Sequence, residues 1–211
     1  MHRLLTTRLL AAAALALVAI AAGGVSAAQA GTFTAGQYPA TITGTNVVPH
    51  TITTNLGAME CVPVFDGVLA AAGEELTLLP GYGPCSLGAK EVDVHLNGCD
   101  YVVHAGNTIA EDKVGGTMDI VCPEGNVIDF EVTSMPICHL TVPPQAGLSA
   151  LSFTNLTAAG DVRLNFEIVE LAYGLDMGCP NPGAYANGTM TGITTLVGFK
   201  EPGVQTFFRV D

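Results

Sequence analysis

The sequence predicts an all-β fold, a disulfide-stabilised, β-sandwich-like single domain of many short antiparallel strands. Three observations support this prediction. Turn-forming residues recur roughly every 8 to 12 residues, no long segment shows the 3.6-residue period of an amphipathic helix, and six cysteines occur in a chain whose first thirty residues predict export, as described next. Small exported domains use disulfides to supplement a limited core.

Residues 1–30 have the organisation of a secretory signal peptide. Two arginines precede an apolar run from Leu9 to Ala22, and Ala28-Gln29-Ala30 provides small residues for cleavage. The run is short for a helix that crosses a bilayer, and an earlier cut after Ala27 is the alternative. Cleavage leaves residues 31–211 as one domain, which we expect to be secreted or held at the cell surface, with no transmembrane segment in the mature chain.

The mature chain is strongly acidic. The full sequence has 7 basic and 19 acidic residues, a net charge of −12, and removal of the two signal-peptide arginines lowers this to −14. Such a surface argues against nucleic acid and anionic membranes as partners. It is compatible with solubility outside the cell and with cation binding, so the expected partner is an extracellular or cell-envelope ligand.

The first strands are predicted from short runs of β-branched and apolar residues separated by turn residues. The cluster Gly81-Tyr82-Gly83-Pro84 is predicted to be a loop, since glycine and proline interrupt regular structure. The predicted strands before it cover residues 40–45, 47–53, 60–65 and 74–79.

The segment from Glu91 to Val132 is predicted to be a four-stranded meander. Residues 91–96 alternate polar and apolar side chains, which indicates a half-buried strand. Asn97-Gly98 is the preferred pair for a two-residue hairpin turn. This hairpin would place Leu96 opposite Cys99, and the same register would place Val94 opposite Tyr101 and Val92 opposite Val103, all on one apolar face.

The third strand of the meander, residues 117–122, fits this register. If Cys122 faces Cys99, Ile120 lies opposite Tyr101 and Met118 lies opposite Val103. A slip of one residue would turn all of these side chains to the other face, so the agreement favours a Cys99/Cys122 bridge. A turn at residues 123–126 would then bring back the fourth strand, residues 127–132, with Val121 opposite Val127.

The rest of the chain predicts further strands. Residues 162–169 alternate clearly, and the cysteine- and proline-rich segment 179–183 is predicted to be a loop. The predicted strands in this part cover residues 137–142, 147–153, 162–169, 189–199 and 204–210.

The six cysteines are predicted to form three sequential disulfides, of which only the middle pair is supported by register. Six cysteines allow 15 connectivities, and the sequence does not choose among them. A zinc site is the competing interpretation, but no two cysteines have the close C-x-x-C spacing of structural zinc sites. The predicted pairs are Cys61/Cys85, Cys99/Cys122 and Cys138/Cys179.

A family resemblance is carried by three short motifs. Asn97-Gly98-Cys99-Asp100-Tyr101, Cys122-Pro123-Glu124-Gly125, and Cys138 followed by Val142-Pro143-Pro144-Gln145 resemble uncharacterised exported, cysteine-containing β proteins of high-GC Gram-positive bacteria. The resemblance covers much of the mature chain. It implies an exported, cysteine-bridged β domain and transfers no activity or site residue.

The polar face of the predicted meander is the one candidate for chemistry. The register places His104 opposite Glu91 and Thr117, His95 opposite Asp100, and Asp119 opposite Asp129 with Glu131 nearby. Carboxylates on one face could bind Ca²⁺, which takes several oxygen ligands, while added histidines would suit a transition metal. We expect a solvated face without a cofactor, on which the histidines partly neutralise acids across the strands, and the metal site is the alternative. The candidate metal ligands are Asp119, Asp129, Glu131, Glu91 and His104.

The sequence contains none of the common catalytic motifs. G-x-S-x-G, H-E-x-x-H and the phosphate-binding G-x-x-x-x-G-K-[ST] are all absent. We therefore expect a secreted or cell-surface protein that acts as a binding or structural module rather than as an enzyme. The alternative is an exported hydrolase that uses carboxylates such as Asp129 and Glu131 as acid and base; the lack of tryptophan weakens a sugar-stacking site.

Overall fold

The structure, a computed structural model, describes residues 30–133 and 136–211. The predicted signal peptide lies outside these residues, apart from Ala30. The described chain contains fourteen β-strands and no helix, so no helix in this part of the protein could cross a membrane. The strands are β1 (Phe33–Ala35), β2 (Ala40–Thr54), β3 (Gly57–Leu69), β4 (Glu75–Leu87), β5 (Lys90–His95), β6 (Asp100–Ala110), β7 (Lys113–Val121), β8 (Ile128–Val132), β9 (Cys138–Val142), β10 (Gln145–Leu156), β11 (Asp161–Leu175), β12 (Gly183–Glu201), β13 (Val204–Thr206) and β14 (Phe208–Val210).

Eight of the strands form a closed ring of antiparallel pairings. The order around the ring is β12, β2, β3, β4, β6, β7, β10 and β11, and the pairing of β11 with β12 closes it. Because the ring is closed, each of these eight strands has a partner on both sides for at least part of its length. This protects the sheet from pairing with other chains.

One wall of the ring is divided between two sets of three strands. Residues 75–78 of β4 pair with β6, whereas residues 85–87 pair with β5. In the same way, residues 161–166 of β11 pair with β10, and residues 174–175 pair with β9. The strands β6, β7 and β10 therefore form the wall of what we call the upper half, and β5, β8 and β9 form the wall of the lower half.

Apolar side chains fill the inside of the ring in both halves. Phe65 lies 6.0 Å from Phe166 and 6.1 Å from Tyr101, measured between ring centroids. The Tyr101 hydroxyl hydrogen-bonds the Tyr82 hydroxyl at 2.7 Å, and the Tyr82 ring lies 6.1 Å from Phe130 in the lower half. Aromatic side chains therefore fill the interior of the ring.

A small ribbon covers the upper end of the ring. It consists of β1 and β14, which pair with each other and with none of the other twelve strands. Phe33 in β1 is fully buried against Phe153, with ring centroids 5.2 Å apart, and against Phe208 in β14 at 6.1 Å. Apolar contacts therefore hold the ribbon in place.

The all-β fold and the three disulfides are confirmed. The bridges are Cys61–Cys85, Cys99–Cys122 and Cys138–Cys179. The first joins paired residues of β3 and β4, the second joins the residues that flank the β6–β7 ladder, and the third joins β9 to the turn after β11. Strand pairing links twelve strands into one continuous sheet that closes on itself, and this closed sheet is the architecture of the fold.

The predicted register between β6 and β7 is also correct. Tyr101 pairs with Ile120 and Val103 pairs with Met118, and all four side chains are buried. His104 lies opposite Thr117 as expected. In this ladder the apolar alternation of both strands and the position of the disulfide indicate the same register, so the register could be predicted from the sequence.

The predicted hairpin between β5 and β6 is wrong. Asn97 and Gly98 do take positive φ angles of 53° and 78°, and the amide of Cys99 donates to the carbonyl of Leu96 at 2.9 Å. The chain turns as expected, but the two strands diverge after it. Val92 pairs with Cys85 and Val132, not with Val103, because β4 lies beside both strands at different points of its length.

The predicted pairing of Val121 with Val127 is wrong for a related reason. After the turn at residues 123–126, β8 joins the lower wall, where it pairs with β5 and β9 instead of β7. Ile128, Phe130 and Val132 are buried as predicted. The alternation determined which side chains face inward but not which strand lies alongside.

The predicted loop at residues 81–84 is part of a strand. The strand β4 continues through Pro80 and Pro84 to Leu87, paired on one side with β3. On its other side, neither β6 nor β5 pairs with residues 79–84. Proline lacks an amide hydrogen, so it is tolerated where a strand has no partner on that side.

Candidate functional site

The candidate metal ligands inferred from the sequence lie on separate walls. His104 and Asp119 are in the upper wall, on β6 and β7, whereas Asp129 and Glu131 are in the lower wall, on β8. Glu91 is exposed on β5 and pairs with Ser86. The five residues do not form one site, because the hairpins that would have brought them together do not exist.

The opposing pairs predicted on the polar face change accordingly. Asp119 lies opposite Val102, not Asp129. His95 lies opposite Asp129, not Asp100. His104 lies opposite Glu75 as well as Thr117, and not opposite Glu91. These differences follow from the divided wall, which places β4 beside β6 and β8 beside β5.

The upper wall contains a small cluster around His104. Its Nε2 lies 3.1 Å from the Asp119 Oδ2, and its Nδ1 lies 3.4 Å from the Glu75 Oε1. The other oxygen of Asp119, Oδ1, accepts a hydrogen bond from the Gly147 amide at 2.7 Å. Both nitrogens of His104 and both oxygens of Asp119 thus have partners, and this arrangement fixes the β7–β10 junction.

The lower wall carries a grid of polar side chains on its outer face. Along one row, Asp93 of β5 pairs with Glu131 of β8, and Glu131 pairs with His139 of β9. Along the next row, His95 pairs with Asp129, and Asp129 pairs with Thr141. We call this set the lower polar face: Asp93, His95, Asp129, Glu131, His139 and Thr141.

The contacts on the lower polar face run along the diagonals of the grid. The Nδ1 of His139 lies 3.0 and 3.2 Å from the two carboxylate oxygens of Asp129, and the Nε2 of His95 lies 3.9 Å from Glu131 Oε2. The hydrogen bond to Asp129 raises the pKa of His139 above its ordinary value, and the nearby charges of Asp176 and Glu131 act in the same direction. Asp176 also accepts the backbone amide of His139 at 3.2 Å.

His139 and Asp176 were not among the residues singled out from the sequence. The signal for His139 was present, because it alternates with Cys138 and Leu140 and therefore belongs on the outer face of its strand. What the sequence did not reveal is that β9 lies directly beside β8. Asp176 lies in a turn after β11, and no local pattern connects it with this face.

A depression that we call the end cleft lies at the upper end of the ring. This end cleft has a volume of about 590 Å³ and is formed by the β6–β7 turn, the β10–β11 turn and the C-terminal segment. A second, shallower depression of about 380 Å³ includes Asp119 and Gln145. Neither Asp129 nor Glu131 lines either one.

The end cleft combines charged, polar and apolar groups. Lys113 and Arg209 contribute positive charge, although Arg209 makes an ion pair with Asp211. Lys113 has no ion-pair partner among the described residues, and the Phe207 ring is 51% exposed. Partial burial raises the pKa of Asp161, which lines the same cleft.

A buried histidine lies inside the ring. His50 is fully buried between Phe166 and Phe65, whose rings lie 4.5 and 5.7 Å from the imidazole. Its Nε2 lies 3.2 Å from the Thr194 hydroxyl, while its Nδ1 has no hydrogen-bond partner in the described chain. Burial lowers the pKa of His50 to about 4, so this ring is neutral at neutral pH.

Comparison with known proteins found no relative. No protein-family model, no curated protein and no solved structure matches the chain. Any functional conclusion therefore depends on the geometry of the chain itself.

Proposed function

We propose that the protein is a secreted or cell-surface binding module whose end cleft takes an acidic saccharide of the cell envelope or its surroundings. The observation that carries this proposal is the end cleft, a depression of about 590 Å³ lined by a lysine without an ion-pair partner among the described residues and by an exposed aromatic ring. Concave sites with a few converging polar groups are where proteins usually bind small ligands.

The filled interior supports a site at the end of the ring. Phe65, Tyr101 and Phe166 occupy the space that a ligand would need between the walls. A ligand must therefore bind at an end or on an outer face, and the end cleft has the larger volume of the two depressions, about 590 Å³ against about 380 Å³.

The lining of the cleft suits the chemistry of an acidic sugar. The Lys113 ammonium can donate hydrogen bonds to a carboxylate, and the carboxylate of Asp161 can accept from sugar hydroxyls. The exposed face of Phe207 offers an apolar surface to the C–H groups of a pyranose ring. Asp112 and Asp211 also line the cleft, so the acidic group of the sugar would lie against Lys113, whose ammonium has no ion-pair partner among the described residues.

The exported-hydrolase alternative has less support. Its carboxylates Asp129 and Glu131 lie on an open sheet face outside both depressions, and hydrolases enclose the scissile bond between their acid and base. Binding without reaction is the function that better fits this geometry.

Titration with glucuronate and with glucose tests the proposal. In ¹⁵N-labelled protein, millimolar glucuronate is expected to shift the amide resonances of Lys113, Gly160 and Phe207, and glucose is expected to shift them less. Lys113→Met should reduce the glucuronate affinity by about tenfold, corresponding to about 1.4 kcal/mol for a lost charge-assisted hydrogen bond.

Lys200→Met is the matched control, because Lys200 is exposed on β12 and lies outside the cleft. It should leave the affinity unchanged. Resonance shifts confined to other surfaces, or a glucuronate affinity that Lys113→Met does not alter, would contradict the assignment of the end cleft.

A further inference from the structure

We propose that His95, Asp129, Glu131 and His139 bind one divalent transition-metal ion, Zn²⁺ or Cu²⁺, on the lower polar face. This site is separate from the end cleft, because none of its four residues lines that cleft. It also differs from the ligand set inferred from the sequence, since His95 and His139 take the place of His104, Asp119 and Glu91.

The arrangement of the three strands supplies ligands from both sides of a central pair. Asp129 and Glu131 are two residues apart on β8 and point outward together. His95 lies on the strand to one side and His139 on the strand to the other. Side chains directly opposite each other have Cβ atoms about 4.5 to 5.5 Å apart, so one ion above β8 is within reach of both histidines.

The two histidines already lean toward the middle of this pair. His139 is directly opposite Glu131, yet its imidazole contacts Asp129 at 3.0 Å. His95 is directly opposite Asp129, yet its nearest carboxylate is Glu131 at 3.9 Å. Both rings therefore lean along β8 toward the other row, His95 from one side and His139 from the other, and a shared ion would lie between them, above the two carboxylates.

The ligand types select the metal. Two imidazoles and two carboxylates form a mixed nitrogen and oxygen set, which suits Zn²⁺ and Cu²⁺. Ca²⁺ takes six to eight oxygen ligands, which two carboxylates on a flat sheet do not provide. Histidine in place of further oxygens thus favours a transition metal at this face over the calcium site suggested by the sequence.

The surrounding charge also favours a cation. Asp93 and Asp176 flank the four ligands, and none of the four acids in this region has a lysine or arginine partner among the described residues. A divalent ion would offset this negative charge. The side chains must rotate to reach it, because no three of the four have ligand atoms that all lie within 4.8 Å of one another. The described group that meets this distance is Cys138, Asp176 and Cys179, and those cysteines are bonded to each other.

Zinc titration of the disulfide-bonded protein, purified without a histidine tag, tests the site. We expect one Zn²⁺ per chain by calorimetry, and His95→Ala or His139→Ala should each weaken binding by about tenfold or more, since even outer partners of a metal site are worth about 10- to 100-fold. Cu²⁺ should broaden the imidazole proton resonances of His95 and His139 before those of His104.

His104→Ala is the matched control, since His104 also lies between two carboxylates, on the upper wall. It should bind Zn²⁺ like the parent protein. His95 is exposed, so its replacement leaves the fold intact, and circular dichroism of each variant verifies this. Absence of Zn²⁺ binding at micromolar concentration, unchanged affinity in both His95→Ala and His139→Ala, or loss of binding in His104→Ala would overturn the proposal.

Discussion

His50 shows how a single side chain links the ring interior to acid stability. Its imidazole is fully buried between two phenylalanines and has one hydrogen bond, to Thr194. Gly192 makes room for it, since a Cβ at that position would overlap the imidazole Cδ2. A charged imidazole has no compensating acid in this environment, so the folded chain keeps the neutral form.

We predict that His50 makes the protein less stable as the pH falls from 6.5 to about 4. The pKa of His50 is lowered from 6.5 to about 4 in the folded chain, so in this range the unfolded chain takes up a proton and the folded chain does not. The free energy of unfolding should therefore decrease by about 3 kcal/mol across the range. Urea unfolding at a series of pH values measures it.

The variant His50→Leu isolates this contribution from the carboxylates, which titrate in the same range. It removes the ionisable group, so its free energy of unfolding should change less with pH than that of the parent, by about the same 3 kcal/mol. Identical pH profiles for His50→Leu and the parent would mean that His50 is not held neutral by burial.

At the scale of single residues, the sequence predicted burial better than it predicted contacts. Tyr101, Val103, Met118 and Ile120 are buried as their alternation indicated. His50 was missed because it is a polar residue on an inward position, next to an irregularity in the β2–β3 pairing between Thr45 and His50. A register shift of this kind changes which residues face inward, and local alternation does not reveal it.

Among the structural elements, the β6–β7 ladder shows the best agreement between the features predicted from the sequence and those observed in the structure. Its register, its buried face and its disulfide all agree. The two bridged cysteines are separated by 23 positions in the sequence. The disulfide therefore reduces the conformational freedom of the unfolded chain more than that of the folded ladder, whose strands are already paired.

We predict that replacing both Cys99 and Cys122 by alanine lowers the free energy of unfolding by about 3 kcal/mol. The β content, measured by far-ultraviolet circular dichroism, should be retained because the strand pairing does not depend on the bridge. The matched variant replaces Cys61 and Cys85, which have a sequence separation of 24 and also join neighbouring strands. Its free energy of unfolding should decrease by a similar amount.

Chemical unfolding of both double variants provides the measurement, and peptide mapping without reduction verifies the pairing. A fragment that links Cys99 to any cysteine other than Cys122 would contradict the register of the ladder. So would a Cys99→Ala/Cys122→Ala variant that loses most of its β signal, since the ladder would then depend on the bridge for its formation.

The elements that sequence reasoning misplaced are those whose neighbours come from distant parts of the chain. Asn97-Gly98 forms a turn, yet β5 and β6 belong to different walls. Turn residues specify a reversal of direction, and side-chain alternation specifies a face. Neither identifies which of several strands with the same alternation will lie alongside, because that choice depends on the packing of the whole core.

At the scale of the whole molecule, the divided wall determines where function can reside. It places the end cleft at the upper end, where the β6–β7 and β10–β11 turns meet the ribbon. It places the lower polar face on β5, β8 and β9, where histidines and carboxylates from three strands converge. The sequence indicated the polar alternation of these strands, but the two surfaces exist only because of the closed pairing order.

The central claim is that β4 pairs with β6 in the upper half and with β5 in the lower half. Backbone proton contacts measured by nuclear Overhauser spectroscopy test it most directly. The account predicts contacts between Leu76 and Val103 and between Cys85 and Val92, which are paired residues in this arrangement. Contacts between Val92 and Val103 and between Val94 and Tyr101, which only a β5–β6 hairpin would produce, would contradict it.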